Sequence, residues 1–308
     1  MQVNQESREL IKVIDGNKLK NMFLSALKKL KSQKQLIDSL NVFPVPDGDT
    51  GTNMYLTFVE GIKKIKSLKT DRVDKITSSI ARGALMGARG NSGVILSQLL
   101  RGFSDVNSNN KNMDADNLVK ALREASKVAY QGVMKPVEGT ILTVSDGAAK
   151  GAEKGLENDL DIIGILETTI DQAHKTLNNT PELLPELKEA GVVDAGGQGY
   201  LTILKGMLKG LTDPENRQQF DIEVVGQKQS ETEAQTTKTE IEYSYDTQVL
   251  IQLNSKSESL DIDEIRNDLQ NYGDSLIVVG SDHTLKVHIH SNHPGIVLEQ
   301  ALKLGQLR

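Results

Sequence analysis

The chain has 308 residues and contains no cysteine and no tryptophan, and only 4% of its residues are aromatic. Without cysteine, disulfide bonds and thiolate chemistry are excluded. The scarcity of aromatic side chains argues against a platform on which nucleic-acid bases stack. No long hydrophobic run is present, because the first 30 residues hold no signal-peptide core and no segment approaches the ~20 apolar residues of a membrane span. We therefore expect a cytoplasmic protein without a membrane span.

A strong charge of either sign is also missing. The formal net charge is -6, from 36 Lys and Arg against 42 Asp and Glu. Because no segment carries a dense excess of Lys and Arg, a surface dedicated to nucleic acid is not expected. The content of 37% hydrophobic and 25% charged residues is typical of globular proteins. The length allows one large domain or two ordinary ones.

Helical periodicity dominates the first two hundred residues. Between residues 17 and 40, apolar side chains recur at helical spacing with lysines between them. Similar patterns follow, and the alternation typical of strands is nearly absent. Helices are predicted over residues 17–40, 51–67, 72–86, 93–103, 115–133, 140–156, 161–178, 181–190 and 197–211. This part of the chain is therefore expected to be all-α.

The pattern changes after residue 211. Residues 213–242 are polar and rich in Gln, Glu and Thr, which is typical of a linker. Beyond them, alternating apolar residues predict strands, and amphipathic spacing predicts two helices. The predicted elements are strands at 247–254, 275–282 and 284–291, a helix at 260–272, and a helix from residue 294. The order β-α-β-β-α predicts a small α+β domain.

The segment NVFPVPDGDTGTNM, residues 41–54, combines two carboxylates with glycines where neither helix nor strand is favoured. Asp47 and Asp49 are separated by one residue, so both carboxylates can converge on a cation that prefers oxygen ligands, Mg²⁺ first. The neighbouring glycines let the backbone approach a ligand closely. The same residues are also common in Asx turns. Taken alone, the motif leaves a turn and a metal site both open.

Three further segments lie between predicted helices. GALMGARGNSGVILSQ places Asn91 and Ser92 at the start of a helix, where exposed N–H groups and the helix dipole favour phosphate oxygens. MKPVEGTILTV brings Thr140, and GVVDAGGQGY brings Asp194, to two other helix starts. Simple capping is the alternative at each one. An acidic pair together with several helix starts favours a nucleotide with Mg²⁺ and phosphoryl transfer as the reaction.

These four motifs, in this order, resemble the nucleotide-binding domain of bacterial fatty acid kinase, which is similar to the ADP-binding L subunit of dihydroxyacetone kinase. The resemblance covers residues 12–211, and the small domain resembles the middle domain of the same kinase. It implies an all-α antiparallel helical barrel of about eight helices in residues 1–212. The linker at 213–242 and the α+β domain at 243–308 follow. ATP and two Mg²⁺ ions are expected at one end of the barrel.

The resemblance also assigns residues. Asp47 and Asp49 are expected to bind Mg²⁺, with Asn41 as a weaker candidate. Apart from the resemblance, Arg89 is a candidate for stabilising the transferring phosphoryl charge, because a guanidinium group suits that role; an ordinary surface arginine is the alternative. The residues expected around the nucleotide are Thr50, Asn53, Met54, Gly90, Asn91, Ser92, Gly93, Thr140 and Asp194.

The implied reaction phosphorylates the carboxylate of a fatty acid. A separate fatty-acid-binding protein presents the acceptor in this family, and the acyl phosphate serves phospholipid synthesis. One alternative is a dihydroxyacetone-type kinase, whose acceptor is a small ketone. Another is a non-catalytic nucleotide-binding adaptor that uses the α+β domain for dimerisation or regulation. A homodimer is expected.

Two departures from the family pattern concern the second domain and the length. Asp246 stands where the family often has a cysteine, beside a pair formed by His288 and His290. The family set suggests Zn²⁺, and a carboxylate could keep a hard-ligand version of that site or abolish it. A histidine pair without metal is the alternative. The chain also lacks the family's C-terminal carrier-binding domain, so it is expected to be either part of a longer protein or a shorter relative.

Overall fold

The computed structural model describes residues 10–213, 242–254, 260–281 and 283–308. Helices account for most of the first range, and a small sheet with two helices accounts for the others. The all-α part followed by an α+β part, as expected from the sequence, is confirmed. The predicted linker at 213–242 lies outside the described residues, apart from its first and last residue.

Ten helices lie between residues 10 and 213. Eight of them are long, as predicted, and two are short. A two-stranded ribbon of β1 (Val13–Ile14) and β2 (Met113–Asp114) links two of the connections. The helices are α1 (Gly16–Ser39), α2 (Thr50–Lys66), α3 (Val73–Gly87), α4 (Gly90–Val106), α5 (Ala115–Gly132), α6 (Ile141–Glu157), α7 (Ile162–Asn178), α8 (Thr180–Leu183), α9 (Pro185–Ala190) and α10 (Ala195–Thr212).

Aspartates begin several of these helices. The carboxylate of Asp15 accepts a hydrogen bond from Lys18 N at 2.8 Å, and Asp161 accepts one from Gly164 N at 2.9 Å. Each such cap satisfies an N–H group that has no partner within the helix, which stabilises the fold by about 1 kcal/mol. The starts of α1 and α7 are therefore encoded locally by Asp.

The eight long helices form a closed ring. Each packs against the next one in sequence, and α10 packs against both α7 and α1. Short connections make neighbouring helices antiparallel. The ring is filled by apolar side chains, among them Phe23, whose ring meets the rings of Phe58 and Phe103 edge-on. The closing pair is very tight, because a Cβ added at Gly206 would lie 2.4 Å from Ala26 Cα.

The small domain is an antiparallel sheet with strand order β4-β5-β3-β6. The predicted order of elements is confirmed, and β6 is an addition that the sequence pattern did not indicate. Its elements are β3 (Tyr245–Leu253), α11 (Ile262–Leu269), β4 (Gly273–Ser281), β5 (Thr284–Ser291), α12 (Pro294–Leu304) and β6 (Gly305–Leu307).

The two faces of this sheet have different neighbours. Val249, Val287 and other apolar residues of one face form a core with α11 and α12. On the opposite face, Ile277 and Val279 join a cluster with Leu85, Ala88 and Val94 of the helical ring. The sheet therefore packs on the joint between α3 and α4. Among the described residues, no helix has the length and apolarity needed to cross a bilayer.

The close contact at Gly206 predicts a measurable stability effect. Gly206→Ala should destabilise the protein by about 1–3 kcal/mol, because the new methyl group collides with the backbone of α1. Urea unfolding followed by circular dichroism measures this change. The matched control is Gly295→Ala, since a Cβ at Gly295 meets nothing within 4 Å. Equal stability of the two variants would contradict the close packing of α1 and α10.

Candidate functional site

A cavity of about 460 Å³ lies where one rim of the ring meets the small domain. Because neighbouring helices are antiparallel, every second long helix starts at this rim. The cavity is accordingly lined by the first residues or caps of α2, α4, α6 and α10. The rim residues are Thr50, Gly90, Asn91, Ser92, Thr140, Ile141, Asp194 and Gly196. The four sequence motifs are thus brought together in one place.

The acidic pair lies in the loop between α1 and α2 and lines the same cavity. Gly48 between the two aspartates has a φ of 68°, in the left-handed region that glycine adopts readily. The main chain of Asp49 is tied into α2, because its carbonyl accepts from Asn53 N at 2.8 Å. A neighbouring carboxylate, that of Asp38, accepts from both the N–H and the hydroxyl of Thr52 at 2.8 Å. The loop is therefore anchored at its α2 end.

The electrostatics of the pair favour a cation. Burial in the cavity, followed by the charge of Asp49, raises the pKa of Asp47 to about 7. Burial also raises the pKa of Asp49, and the charges of Asp38 and Asp246 add to this effect. Adjacent carboxylates repel one another when both are ionised, and a divalent cation that prefers oxygen ligands relieves the repulsion. The donor set therefore fits Mg²⁺.

Asn41 orients this pair. Its amide nitrogen donates to Asp47 Oδ1 at 2.9 Å and to Val45 O at 2.7 Å. Its side-chain oxygen accepts a hydrogen bond from the hydroxyl of Thr50. Both ends of the amide are therefore engaged within the loop, which makes Asn41 a support for Asp47 in this arrangement and not an open metal ligand.

The starts of α2 and α4 differ from those of α6 and α10. Thr140 and Asp194 cap their own helices, with bonds of 3.4 Å to Leu142 N and 2.7 Å to Gly197 N. The residues that precede α2 and α4, Asp49 and Arg89, provide no side-chain cap. Asp38 accepts from Thr52 N in the first turn of α2. The first-turn N–H groups that remain without an acceptor favour an anion. Two adjacent helix starts next to the acidic pair are therefore suited to phosphate groups.

The first two motifs touch directly. A Cβ added at Gly90, whose φ is 57°, would lie 2.5 Å from Asn53 Nδ2. Arg89 N donates to Thr57 Oγ1 at 3.1 Å, and Asn91 Oδ1 is buried without a hydrogen-bond partner among the described residues. Glycine at position 90 is thus required both by its backbone conformation and by the approach of Asn53.

Asp194 is the most enclosed carboxylate of the cavity wall. Burial raises its pKa to about 7, although hydrogen bonds from the N–H groups of Gly197 and Ile141 oppose this shift. These two donors belong to the first turns of α10 and α6. The carboxylate therefore joins two helix starts, which is a structural role consistent with the capping alternative.

Three of the residues expected at the nucleotide site do not line the cavity. Met54 is fully buried, and it packs so closely on α10 that a Cβ at Gly199 would lie 2.4 Å from its sulfur. The expectation that Met54 lines the pocket is therefore corrected: its position on α2 turns it into the core. Gly93 is buried against Thr57, and Arg89 is exposed on the surface beside Gly90.

A second polar cluster lies on the sheet. Ligand atoms of Asp246, His288 and His290 all lie within 4.8 Å of one another. His288 is fully buried, and its two ring nitrogens have no hydrogen-bond partner among the described residues. Its Nδ1 approaches Asp246 Oδ1 at 3.2 Å, a contact that lacks hydrogen-bond alignment. Burial lowers the pKa of His288 to about 3, so its ring is neutral, which is the form that binds a metal ion.

The small domain also contributes residues that the sequence analysis missed. Asp274 pairs with His290, its Oδ1 lying 3.1 Å from His290 Nδ1, and both line the cavity together with Asp246. Only strand register brings Asp274 opposite His290, and no local sequence signal indicates it. Apolar residues complete the wall on this side: Ile95, Val133, Met134, Leu276 and Ile277.

Comparison with known families and proteins gives consistent matches. Residues 44–209 match the DAK2 domain, and residues 242–308 match the FakA-like middle domain, a domain of the fatty acid kinase type. Protein YloV of Bacillus subtilis is 42% identical over 302 residues, which cover 96% of this chain and 55% of YloV. An uncharacterized protein of Staphylococcus haemolyticus is 39% identical over 301 residues, 97% of this chain and 54% of that protein. The chain thus spans about half the length of these curated relatives.

Among solved structures, the dihydroxyacetone kinase from C. freundii in complex with AMP-PNP and Mg²⁺ gives a TM-score of 0.48 at 15% identity, covering 68% of this chain and 36% of that chain. The DAK2 match spans more than half of the present chain. The chain therefore belongs to the DAK2 domain family, and it joins this kinase-related helical domain to a FakA-like middle domain.

Proposed function

We propose that this chain is an ATP-dependent phosphotransferase acting on the carboxylate of a fatty acid, which a separate fatty-acid-binding protein presents. The observation that carries the nucleotide part is the acidic pair in one cavity with two helix starts whose preceding residues, Asp49 and Arg89, provide no side-chain cap. The match of residues 242–308 to the FakA-like middle domain of fatty acid kinases supports the choice of acceptor.

In this proposal, Asp47 and Asp49 would hold Mg²⁺. Two Mg²⁺ ions are proposed, as the resemblance to the kinase family implies. Asn41 would keep Asp47 oriented. Bound Mg²⁺ neutralises charge on the β- and γ-phosphates. The side chains and N–H groups proposed to contact the nucleotide are those of Thr50, Asn53, Gly90, Asn91 and Ser92, with Thr140 and Asp194 in the opposite wall.

The chemical step needs positioning more than proton transfer. A fatty acid carboxylate is ionised near neutral pH, so its oxygen attacks the γ-phosphorus without a general base. The bond between that phosphorus and the oxygen bridging it to the β-phosphate breaks, and ADP leaves with the electron pair. Arg89, exposed beside Gly90, is proposed to stabilise the transferring phosphoryl group from the open side.

The proposal includes the domain scheme of residues 1–212, 213–242 and 243–308, a homodimer, and a cytoplasmic location. The product acyl phosphate would feed phospholipid synthesis. The DAK2 match alone fits a dihydroxyacetone-type kinase equally well, and the attached middle domain favours the fatty acid. A nucleotide-binding adaptor remains the competing function without catalysis.

Asp246, His288 and His290 are proposed to hold a further metal ion, apart from Mg²⁺. The mixed carboxylate and imidazole set fits Zn²⁺ or a harder divalent ion. The buried, neutral and unpartnered ring of His288 supports this proposal.

The metal pair can be tested by substitution. Asp47→Asn and Asp49→Asn should each abolish the thermal stabilisation that Mg-ATP confers, because an amide cannot replace a charged Mg²⁺ ligand. Differential scanning fluorimetry with and without Mg-ATP measures this effect. Asp171→Asn, on the exposed surface of α7, is the matched control and should retain the wild-type shift. Full stabilisation of both loop variants would contradict the assignment.

The acceptor is tested by phosphate transfer from labelled ATP to oleate, with and without a fatty-acid-binding carrier protein. We expect acyl phosphate, trapped as hydroxamate, only when carrier is present. Transfer to dihydroxyacetone in place of oleate would favour the alternative kinase. Nucleotide binding without transfer to either acceptor would favour the adaptor.

The site formed by Asp246, His288 and His290 should bind one metal ion per chain. Titration with Co²⁺ should give a visible absorption band, and His290→Ala should weaken binding at least about tenfold, the lower range for disturbing a metal site. His174→Ala, on the exposed surface of α7, should leave binding unchanged. A wild-type protein that binds no Co²⁺ or Zn²⁺ at micromolar concentration would overturn the site.

A further inference from the structure

One face of the small sheet carries a row of polar side chains that meets the helical ring. Strands β3 and β5 pair so that Gln248 lies opposite His288 and Leu250 opposite Lys286. Since side chains alternate along a strand, Gln248 and Lys286 share a face. The other face packs against α11 and α12. The polar face therefore lies over the joint between α3 and α4.

Lys286 reaches from this face into the helical domain. It is only 5% exposed, and its ammonium group donates a hydrogen bond to the backbone carbonyl of Ala88. Burial, together with the charge of Arg89, lowers the pKa of Lys286 to about 8. Enclosing an amine in this way is costly unless its hydrogen bonds are made. The carbonyl that accepts from it lies in the turn that precedes α4.

Gln248 binds the same turn on both sides of Arg89. With its amide oriented to satisfy both neighbours, Nε2 donates to Ala88 O at 3.2 Å and Oε1 accepts from Gly90 N at 2.8 Å. One side chain thus fixes the carbonyl before Arg89 and the first N–H of α4. Two residues of the sheet, Gln248 and Lys286, converge on this one turn of the ring, and we name the contact the sheet latch.

The turn held by the sheet latch determines where the start of α4 points. Arg89 supplies no side-chain cap, and Gly90 needs a left-handed φ of 57°. The next two residues, Asn91 and Ser92, line the cavity. A shift of the turn would move their N–H groups away from any bound phosphate, and positional errors of this kind are costly at phosphate sites.

We propose that Gln248 and Lys286 are positioning residues of the nucleotide site, so that the sheet holds the start of α4 in its phosphate-binding conformation. This inference rests on the proposed function and deepens it. The small domain is then part of the nucleotide site, and the helical ring alone provides an incomplete one.

A matched control exists in the same interface. Arg101 also donates across it, from Nη1 to Gly280 O at 2.7 Å. Like Lys286, it is a cation that binds a backbone carbonyl of the other domain. It lies on α4 well beyond the cavity, because Arg101 is eleven positions after Gly90, a distance of about 16.5 Å along the helix at 1.5 Å per residue. Removing it loosens domain contact without touching the turn.

The test compares Lys286→Met, Gln248→Leu and Arg101→Met in the full chain. Methionine keeps much of the length of lysine, and replacing a buried charge by an apolar residue often leaves the fold intact. We expect Lys286→Met and Gln248→Leu to weaken Mg-ATP binding at least about tenfold, the size of one lost hydrogen bond from a charged group for Lys286 and of two lost neutral hydrogen bonds for Gln248. Arg101→Met should stay within about threefold of wild type, since surface cations contribute little.

Two further readouts separate positioning from general destabilisation. Adenosine has no phosphate, so its affinity, measured by ligand-observed NMR, should not change in either latch variant. Hydrogen exchange of the segment from residue 86 to residue 94 should accelerate in Lys286→Met and stay unchanged in Arg101→Met. Equal loss of ATP and adenosine affinity would mean a structural role and overturn the inference.

The outcomes also separate the inference from the function on which it rests. Wild-type protein that binds Mg-ATP, with undiminished binding in both latch variants, would overturn the sheet latch alone. Wild-type protein that binds no Mg-ATP would overturn the proposed function and the sheet latch together. Tenfold weaker ATP binding with unchanged adenosine binding supports both.

Discussion

A closed ring of antiparallel helices brings the starts of alternate helices to one rim, and the site depends on this constraint. With eight long helices, four starts meet at the cavity, those of α2, α4, α6 and α10. Each carries N–H groups without helical partners and the positive end of a helix dipole. Closure through the tight α1–α10 contact therefore places four helix N-termini at one rim, where their N–H groups favour anions.

The four starts are satisfied in two ways. Thr140 and Asp194 cap α6 and α10 from within the chain. At the starts of α2 and α4, the preceding residues Asp49 and Arg89 provide no side-chain cap. The loop beside them carries Asp47 and Asp49, whose pKa values are raised. Carboxylates that lie beside N–H groups suited to an anion repel that anion. A metal ion bound between the carboxylates and the anion removes this repulsion. A metal-bound polyphosphate meets both demands at once.

Much of this arrangement could be predicted from the sequence. Apolar periodicity predicted a helix at 51–67, and the structure has Thr50–Lys66; the glycine-rich joints were expected to meet and do line one cavity. Which side chains of a helix face the cavity was harder to predict, since Met54 is buried in the core. Strand register was out of reach, because only folding brings Asp274 to His290 and Gln248 to Ala88. The three-residue strand β6 is too short to give a pattern.

The cavity is formed by both domains, because the sheet of the small domain contributes residues to it. The inner face of the sheet supplies Asp246, Asp274 and His290 to the cavity wall, and its residues Gln248 and Lys286 bind the turn before α4. The apolar cluster around Ile277 and Val279 holds this face against the ring. In the proposed arrangement, nucleotide binding and domain contact are coupled through this single turn of backbone.

The central claim is that metal and phosphate bind between the acidic pair and the starts of α2 and α4. Paramagnetic relaxation with Mn²⁺ in place of Mg²⁺ tests it most directly on isotope-labelled protein. With ATP present, the account predicts the strongest loss of amide signals at residues 47–53 and 90–92. Undiminished amide signals at residues 47–53 and 90–92 with both Mn²⁺ and ATP present would contradict it.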